Sequence, residues 1–219
     1  NAIVEYIGPG TETISATGKA TITNMGAELG ATTSMFPYDE RMAKYLRATH
    51  REELVPIIER SRDLLTPDRE VVSDPEAHYD QVIELDLTTL EPYVVGPHSP
   101  DRARPISSLA KEIADPANGF VEDISVALMG SCTNSSYEDM SRAADIAEQA
   151  KARGLTTSVP FLVTPGSEQV RATIDRDGQM ASLTNFDGTV LANACGPCIG
   201  QWKRAKAMAG MPNTIVTSY

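Results

Sequence analysis

Ile124-Ser125-Val126-Ala127-Leu128-Met129-Gly130-Ser131-Cys132 decides the fold of this chain. Its first six residues predict a buried strand, and Gly130 ends it. A cysteine follows on the loop at the strand's carboxyl end, which in open α/β sheets is the usual ligand-binding edge. Downstream the arrangement recurs. Thr189-Val190-Leu191-Ala192-Asn193 predicts a strand that delivers Cys195 and Cys198 on a second strand-end loop. Two such loops meeting at one rim would gather the three cysteines of the 219-residue chain.

The elements around these strands alternate, which places the chain in the α/β class. Between the cysteine loops, Ser135 or Ser136 caps a helix that runs to Arg153, with Glu138 and Asp139 in its first turn and Gly154 at its end. A strand over 158–164, a helix opened by Gly166-Ser167-Glu168 and ending at Asp177, and a shorter helix over 180–185 follow. The β-branched run 214–217 predicts a last strand. Upstream the pattern predicts a strand over 1–6, a helix over 15–29 stopped by Gly30, and a helix from Pro37-Tyr38-Asp39 to Arg47. It also predicts a helix over 51–65 with Leu54, Ile57, Ile58 and Leu65 on one side. Residues 66–78 have the composition of an exposed connection. Val82 to Leu87 alternate as a strand should, Tyr93-Val94-Val95 offers another, and a helix spans 107–114. Pro92, Gly96, Pro97 and Pro100 cluster between them, so the domain division falls at 1–92 and 93–219.

Composition is that of a soluble globular chain: 41% hydrophobic and 22% charged, with no apolar run approaching the ~20 residues of a membrane span. A net charge of −11 disfavours a nucleic-acid partner, because phosphate binding needs a basic stripe. Three cysteines in 219 residues point to a reducing compartment rather than a disulfide scaffold. His50, His78 and His98 all precede Cys132 without metal-ligand spacing.

A lone cysteine is most often a small buried hydrophobe. Cys-x-x-Cys also serves as a redox pair or as half of a zinc site. A thioredoxin-type pair needs no third cysteine far upstream, and a structural zinc site wants four ligands. Three thiolates instead leave one iron of an iron–sulfur cube open, where it can act as a Lewis acid. In Cys195-Gly196-Pro197-Cys198, Gly196 permits close backbone approach and Pro197 stiffens the bend. Amides near Gly196 and Ile199 are candidates to hydrogen-bond cluster sulfurs, and Gly130 and Gly200 to allow close approach.

Gly130-Ser131-Cys132-Thr133-Asn134-Ser135-Ser136-Tyr137-Glu138-Asp139-Met140 and Leu191-Ala192-Asn193-Ala194-Cys195-Gly196-Pro197-Cys198-Ile199-Gly200-Gln201-Trp202 resemble the cluster-ligand segments of the aconitase (aconitate hydratase) family, in its mitochondrial-type branch. The likeness extends through Gly8-Pro9-Gly10, Asn24 to Ser34, Thr164 to Gln169 and Asn213 to Tyr219, and so covers essentially the whole chain. It implies three-layer αβα-type units with mixed sheets, as in the aconitase iron–sulfur domains. Residues 1–92 would then close one α/β domain, and 93–219 would open the next, which carries the cysteines. Members of the family are several times longer, so the chain reads as an internal fragment. Asn1-Ala2 has the look of a tag-cleavage scar, and the family continues past Val-Thr-Ser-Tyr with an Asn-Arg pair.

By the same resemblance, Cys132, Cys195 and Cys198 hold a [4Fe–4S] cluster whose fourth iron takes water or hydroxide and substrate. Asn24 contacts the cluster environment, and Glu28 reaches the substrate and water network as a proton acceptor or donor. Asn134 and Asn193 are second-shell candidates beside the ligands. The implied reaction interconverts citrate and isocitrate through cis-aconitate, with further arginines and a base supplied by the remaining aconitase domains. The fragment alone is expected to lack turnover. Its compartment would be the mitochondrial matrix in a eukaryote and the cytoplasm in a bacterium. A related dehydratase of the methylisocitrate or homoaconitate type, and an iron-sensing RNA-binding module, are the rival readings.

Overall fold

The computed structural model describes residues 2–194, 196–201 and 210–218, in two compact units, Asn1–Leu90 and Glu91–Tyr219. In the first unit β1 (Ala2–Glu5) and β2 (Ala31–Met35) pair in parallel, Ile3 beside Thr33 and Glu5 beside Met35. A parallel pair needs a crossover, and α1 (Ala16–Asn24) provides it. The Ser15 hydroxyl caps α1 by accepting the Gly18 amide at 3.1 Å. The helix expected over 15–29 stops at Asn24 and gives way to a 3₁₀ turn, Met25–Ala27. Thr21 and Thr23 bond back to the carbonyls of Thr17 and Lys19, a pattern that weakens a helix end. Strand β2 has little sequence signature, because Ala-Thr-Thr-Ser-Met lacks large alternating apolar residues.

Helix α2 (Glu40–Ala48) begins at Asp39, whose Oδ1 accepts the Met42 amide at 3.0 Å while its other oxygen pairs with the ammonium of Lys19. Tyr38, Ala43 and Val55 form the buried cluster, with Met42, Leu46 and Ile58 against it. The single helix expected over 51–65 is broken. Pro56 stands in the first turn of α3 (Val55–Arg60), where its missing amide is tolerated, and Ser61 leaves helical geometry at φ −113°. Leu54, Ile57 and Leu65 are exposed; Ile58 packs inward. The stretch 66–78 is more ordered than a plain connection, holding α4 (Arg69–Ser73) and a 3₁₀ turn, Pro75–Ala77. Val82 to Leu87 form no strand: Val82, Ile83, Leu85 and Leu87 are exposed. Asp86 instead closes a local turn, its Oδ1 accepting the Thr88 amide at 2.9 Å and hydroxyl at 2.7 Å.

In the second unit β3 (Tyr93–Val95) pairs antiparallel with β4 (Ala103–Pro105), a strand too short to register in the sequence. Helix α5 (Ile106–Ile113) follows, and its Glu112 pairs with the buried Arg104 at 2.6 Å. The main sheet holds β5 (Ile124–Met129), β6 (Phe161–Val163), β7 (Gly188–Val190) and β8 (Thr214–Thr217). Its order is β7-β6-β5-β8, and every pair is parallel. Strands β6 and β7 are shorter than expected. Alternation along the strands separates two faces. Val126, Leu128 and Leu162 point to one, where Leu191, Cys198 and Ile215 join them. Val163, with Met129, Phe161 and Val190, meets α6 (Tyr137–Ala152), α7 (Glu168–Asp177) and α8 (Gln179–Thr184) on the other.

Helix α6 presents Met140, Ala144 and Ala147 at helical spacing, and the two alanines allow the sheet and α8 to come close. Its start is a reciprocal capping box between Ser136 and Asp139. Ser167 caps α7 through the Val170 amide at 3.1 Å, and Gly178, at φ +97°, joins α7 to α8. Parallel and antiparallel pairs with packed helices give the α/β class expected from the sequence.

Candidate metal centre

Because β5 to β8 run parallel, their carboxyl ends share one edge of the sheet. Cys132 follows β5, the 164–167 loop follows β6, the Asn193–Cys198 loop follows β7, and Ser218 follows β8. The two cysteine loops leave strands that flank β6, two strand spacings or ~10 Å apart.

The Cys132 loop is held from below by buried serines. The Ser131 amide donates to Ser135 Oγ at 2.6 Å. The amides of Thr133 and Asn134 donate to Ser131 Oγ at 3.2 and 3.1 Å. Cys132 therefore stands at the apex of a turn and is exposed, its Sγ 3.6 Å from Thr133 Oγ1. Gly130 is needed twice over. Its φ is +93°, and a Cβ there would fall 2.3 Å from both Ser135 Oγ and the Thr164 carbonyl. Its close approach is thus to the neighbouring loops. From β8, Ser218 Oγ accepts the Gly130 amide at 2.9 Å, and the Ser218 carbonyl accepts the Asn134 side-chain amide.

Cys198 sits in a 3₁₀ turn, Pro197–Ile199, half-buried against Val126, Leu128 and Leu162. Cys195 lies outside the described residues. The amides of Ile199 and Gln201 both donate to the Gly196 carbonyl, at 3.1 and 2.9 Å, so Ile199 gives its hydrogen bond to the turn. Gly200, at φ +76°, ends that turn in open space. Asn193 donates to Glu168 Oε1 at 2.5 Å, tying this loop to the first turn of α7, and its Oδ1 is buried without a hydrogen-bond partner. Among the described residues no three His, Cys, Asp or Glu side chains form a metal-holding group.

Asn24 and Glu28 belong to the first unit. Asn24 closes α1 and Glu28 follows the Met25–Ala27 turn, its amide donating to the Met25 carbonyl at 3.2 Å. Both are exposed on one knuckle. The sequence did not single out Ser131, Ser218 or Glu168 for the site, and it offered Ser135 only as an alternative to Ser136 for capping α6, a place that Ser136 takes. Their signal is one of position, since each lies at or beside the carboxyl end of a predicted strand. His50, His78 and His98 are exposed, and no helix is long and apolar enough to cross a membrane among the described residues.

A family model described as "Aconitase family (aconitate hydratase)" matches residues 1–219. The chain is 57% identical over 218 residues to a probable mitochondrial aconitate hydratase of Caenorhabditis elegans. It is 54% identical to the Dictyostelium discoideum counterpart and 55% identical to the mitochondrial aconitate hydratase of Saccharomyces cerevisiae. Each alignment takes in 99–100% of this chain and 27% of the relative, so the chain spans about a quarter of the length of these proteins.

Proposed function

This chain belongs to the aconitase family, and on that premise we propose that it serves a hydro-lyase interconverting citrate and isocitrate through cis-aconitate. In this reading Cys132, Cys195 and Cys198 hold a [4Fe–4S] cluster that leaves one iron open. The observation that carries it is the parallel order β7-β6-β5, which sends both cysteine loops out of the same edge.

The residues at that edge fit such a group. Soft thiolates select iron–sulfur clusters over hard oxygen-loving cations. Cys198 rests on an apolar floor of Val126, Leu128 and Leu162, a shell of the kind that limits solvent access to a thiolate-held cluster. When bound, the cluster supplies a Lewis-acidic iron toward substrate hydroxyl and carboxylate oxygens.

The chain's own residues supply the rest of its share. The Glu28 carboxylate accepts or donates the proton as a hydroxyl leaves or returns as water, and the Asn24 carboxamide contacts the cluster environment. Asn134 and Asn193 brace the cysteine loops. The arginine clamps and the base for the carbon-bound proton belong to the remaining domains of the parent protein. Residues 1–92 and 93–219 would be parts of two consecutive α/β domains of it. The compartment assigned is the mitochondrial matrix in a eukaryotic source and the cytoplasm in a bacterial one.

Anaerobic loading with iron and sulfide tests the ligand set. The wild-type chain is expected to take up both and to show iron–sulfur absorbance, and replacing Cys132, Cys195 or Cys198 by serine abolishes uptake. Uptake that survives all three replacements refutes the reading. Loaded chain given citrate is expected to produce no cis-aconitate, and steady production would show that this sequence suffices for turnover.

A further inference from the structure

Ser131 and Ser135 are almost fully buried, 4% and 1% exposed, although both are polar and neither belongs to the apolar clusters. Burying a hydroxyl is unfavourable unless its hydrogen bonds are made, so such residues persist where their bonds fix something. Here they fix the Cys132 turn. Ser131 Oγ accepts two consecutive backbone amides, from Thr133 and Asn134, and so directs both inward, beneath the cysteine that precedes them. Ser135 Oγ holds the Ser131 amide, and the Ser135 carbonyl accepts the Gly166 amide at 3.2 Å. The chain of bonds runs from the Cys132 turn through Ser131 and Ser135 to the loop after β6, the strand that separates the two cysteine loops.

We infer that Ser131 and Ser135 are positioning residues that preset Cys132 at the carboxyl edge of the sheet before the cluster arrives. The inference rests on the ligand role proposed above for Cys132. A turn already braced leaves its thiolate little freedom to lose on binding, which slows release of the metal once bound. The two inward amides are withheld from sulfur, so the serines act through geometry.

Two measurements on the full 219-residue chain separate this inference from the reading it builds on. In cluster-free chain, the Thr133 and Asn134 amides are expected to exchange slowly with solvent deuterium. Ser131→Ala exposes both, and Ser131→Thr, which keeps the hydroxyl, restores protection. In chain loaded anaerobically with iron and sulfide, Ser131→Ala is expected to lose iron to a chelator about 10- to 100-fold faster than wild type, the usual effect of removing a ligand's support. Ser135→Ala, which unties only the Ser131 amide, moves release in the same direction by less and serves if Ser131→Ala fails to melt cooperatively. Equal release from wild type and the serine variants overturns the inference while Cys132 keeps its role. Failure of wild type to take up iron and sulfide overturns the ligand reading itself. Amide exchange unchanged by Ser131→Ala then overturns the brace as well.

Discussion

The Glu91–Tyr219 unit is held mainly by apolar packing, and the Asn1–Leu90 unit leans on polar ties. In the former, Met140, Ile174 and Leu183 are completely buried between the sheet and three helices. In the latter, among the described residues, the buried apolar cluster is Tyr38, Ala43 and Val55, and the sheet has two strands. Two strands pack too little to stand alone, so long-range polar contacts carry a larger share. Lys19, 2% exposed, joins the α1 crossover to the cap of α2 through Asp39. Tyr79 joins the far end of the unit to β1, donating to Glu5 at 2.5 Å. Asn24 and Glu28 are therefore mounted on the unit that a single polar substitution harms most.

Lys19→Ala is the strongest test of this contrast. Removing one partner of a buried pair leaves Asp39 uncompensated, and about 3–5 kcal/mol of stability should go. Hydrogen exchange followed by mass spectrometry should show the loss in peptides from residues 1–90. Faster exchange in 91–219 instead would erase the distinction. Leu183→Ala is the mirror experiment and should cost about 2–5 kcal/mol, read in denaturant unfolding and confined to the second unit.

The smallest expected effect concerns pH. Burial, then the hydrogen bond to Glu5, pushes the Tyr79 hydroxyl up to about 12 from its ordinary 10.0. The folded state thus favours the protonated phenol. Its contribution is complete below pH 10 and fades as pH climbs from 10 toward 12, when the unfolded chain ionises first. Tyr79→Phe should flatten that stretch of the stability curve in the first unit, and an unchanged slope would show that the tie to Glu5 is not responsible.

The same contrast governs what the sequence disclosed. In the second unit the periods are strong. Val126 and Leu128 alternate to one face, Met140, Ala144 and Ala147 repeat along a helix, and Ser136, Ser167 and Gly178 mark ends, so β5, α6, α7 and α8 were legible. In the first unit local pattern misled. Val82 to Leu87 alternate well yet form no ladder, because alternation specifies a strand only where an edge is available to pair with. The stripe from Leu54 to Leu65 dissolved because Ser61 breaks the helix, which no apolar count reveals. At the candidate metal centre, the cysteines were visible as rare residues at distinctive spacing. The serines beneath them were not, since serine is common and its role here depends on burial.

One clearance lies between the Cys132 loop and the tip of β6. Gly166 has no need of an unusual backbone, but a Cβ there would lie 2.9 Å from the Ser135 carbonyl oxygen, closer than real atoms stand. Strand β6 thus works as a shim one strand wide, and its tip must stay bare. Any side chain at position 166 becomes a wedge against the Ser135 carbonyl, pressing on the turn that carries Cys132 without altering a cysteine.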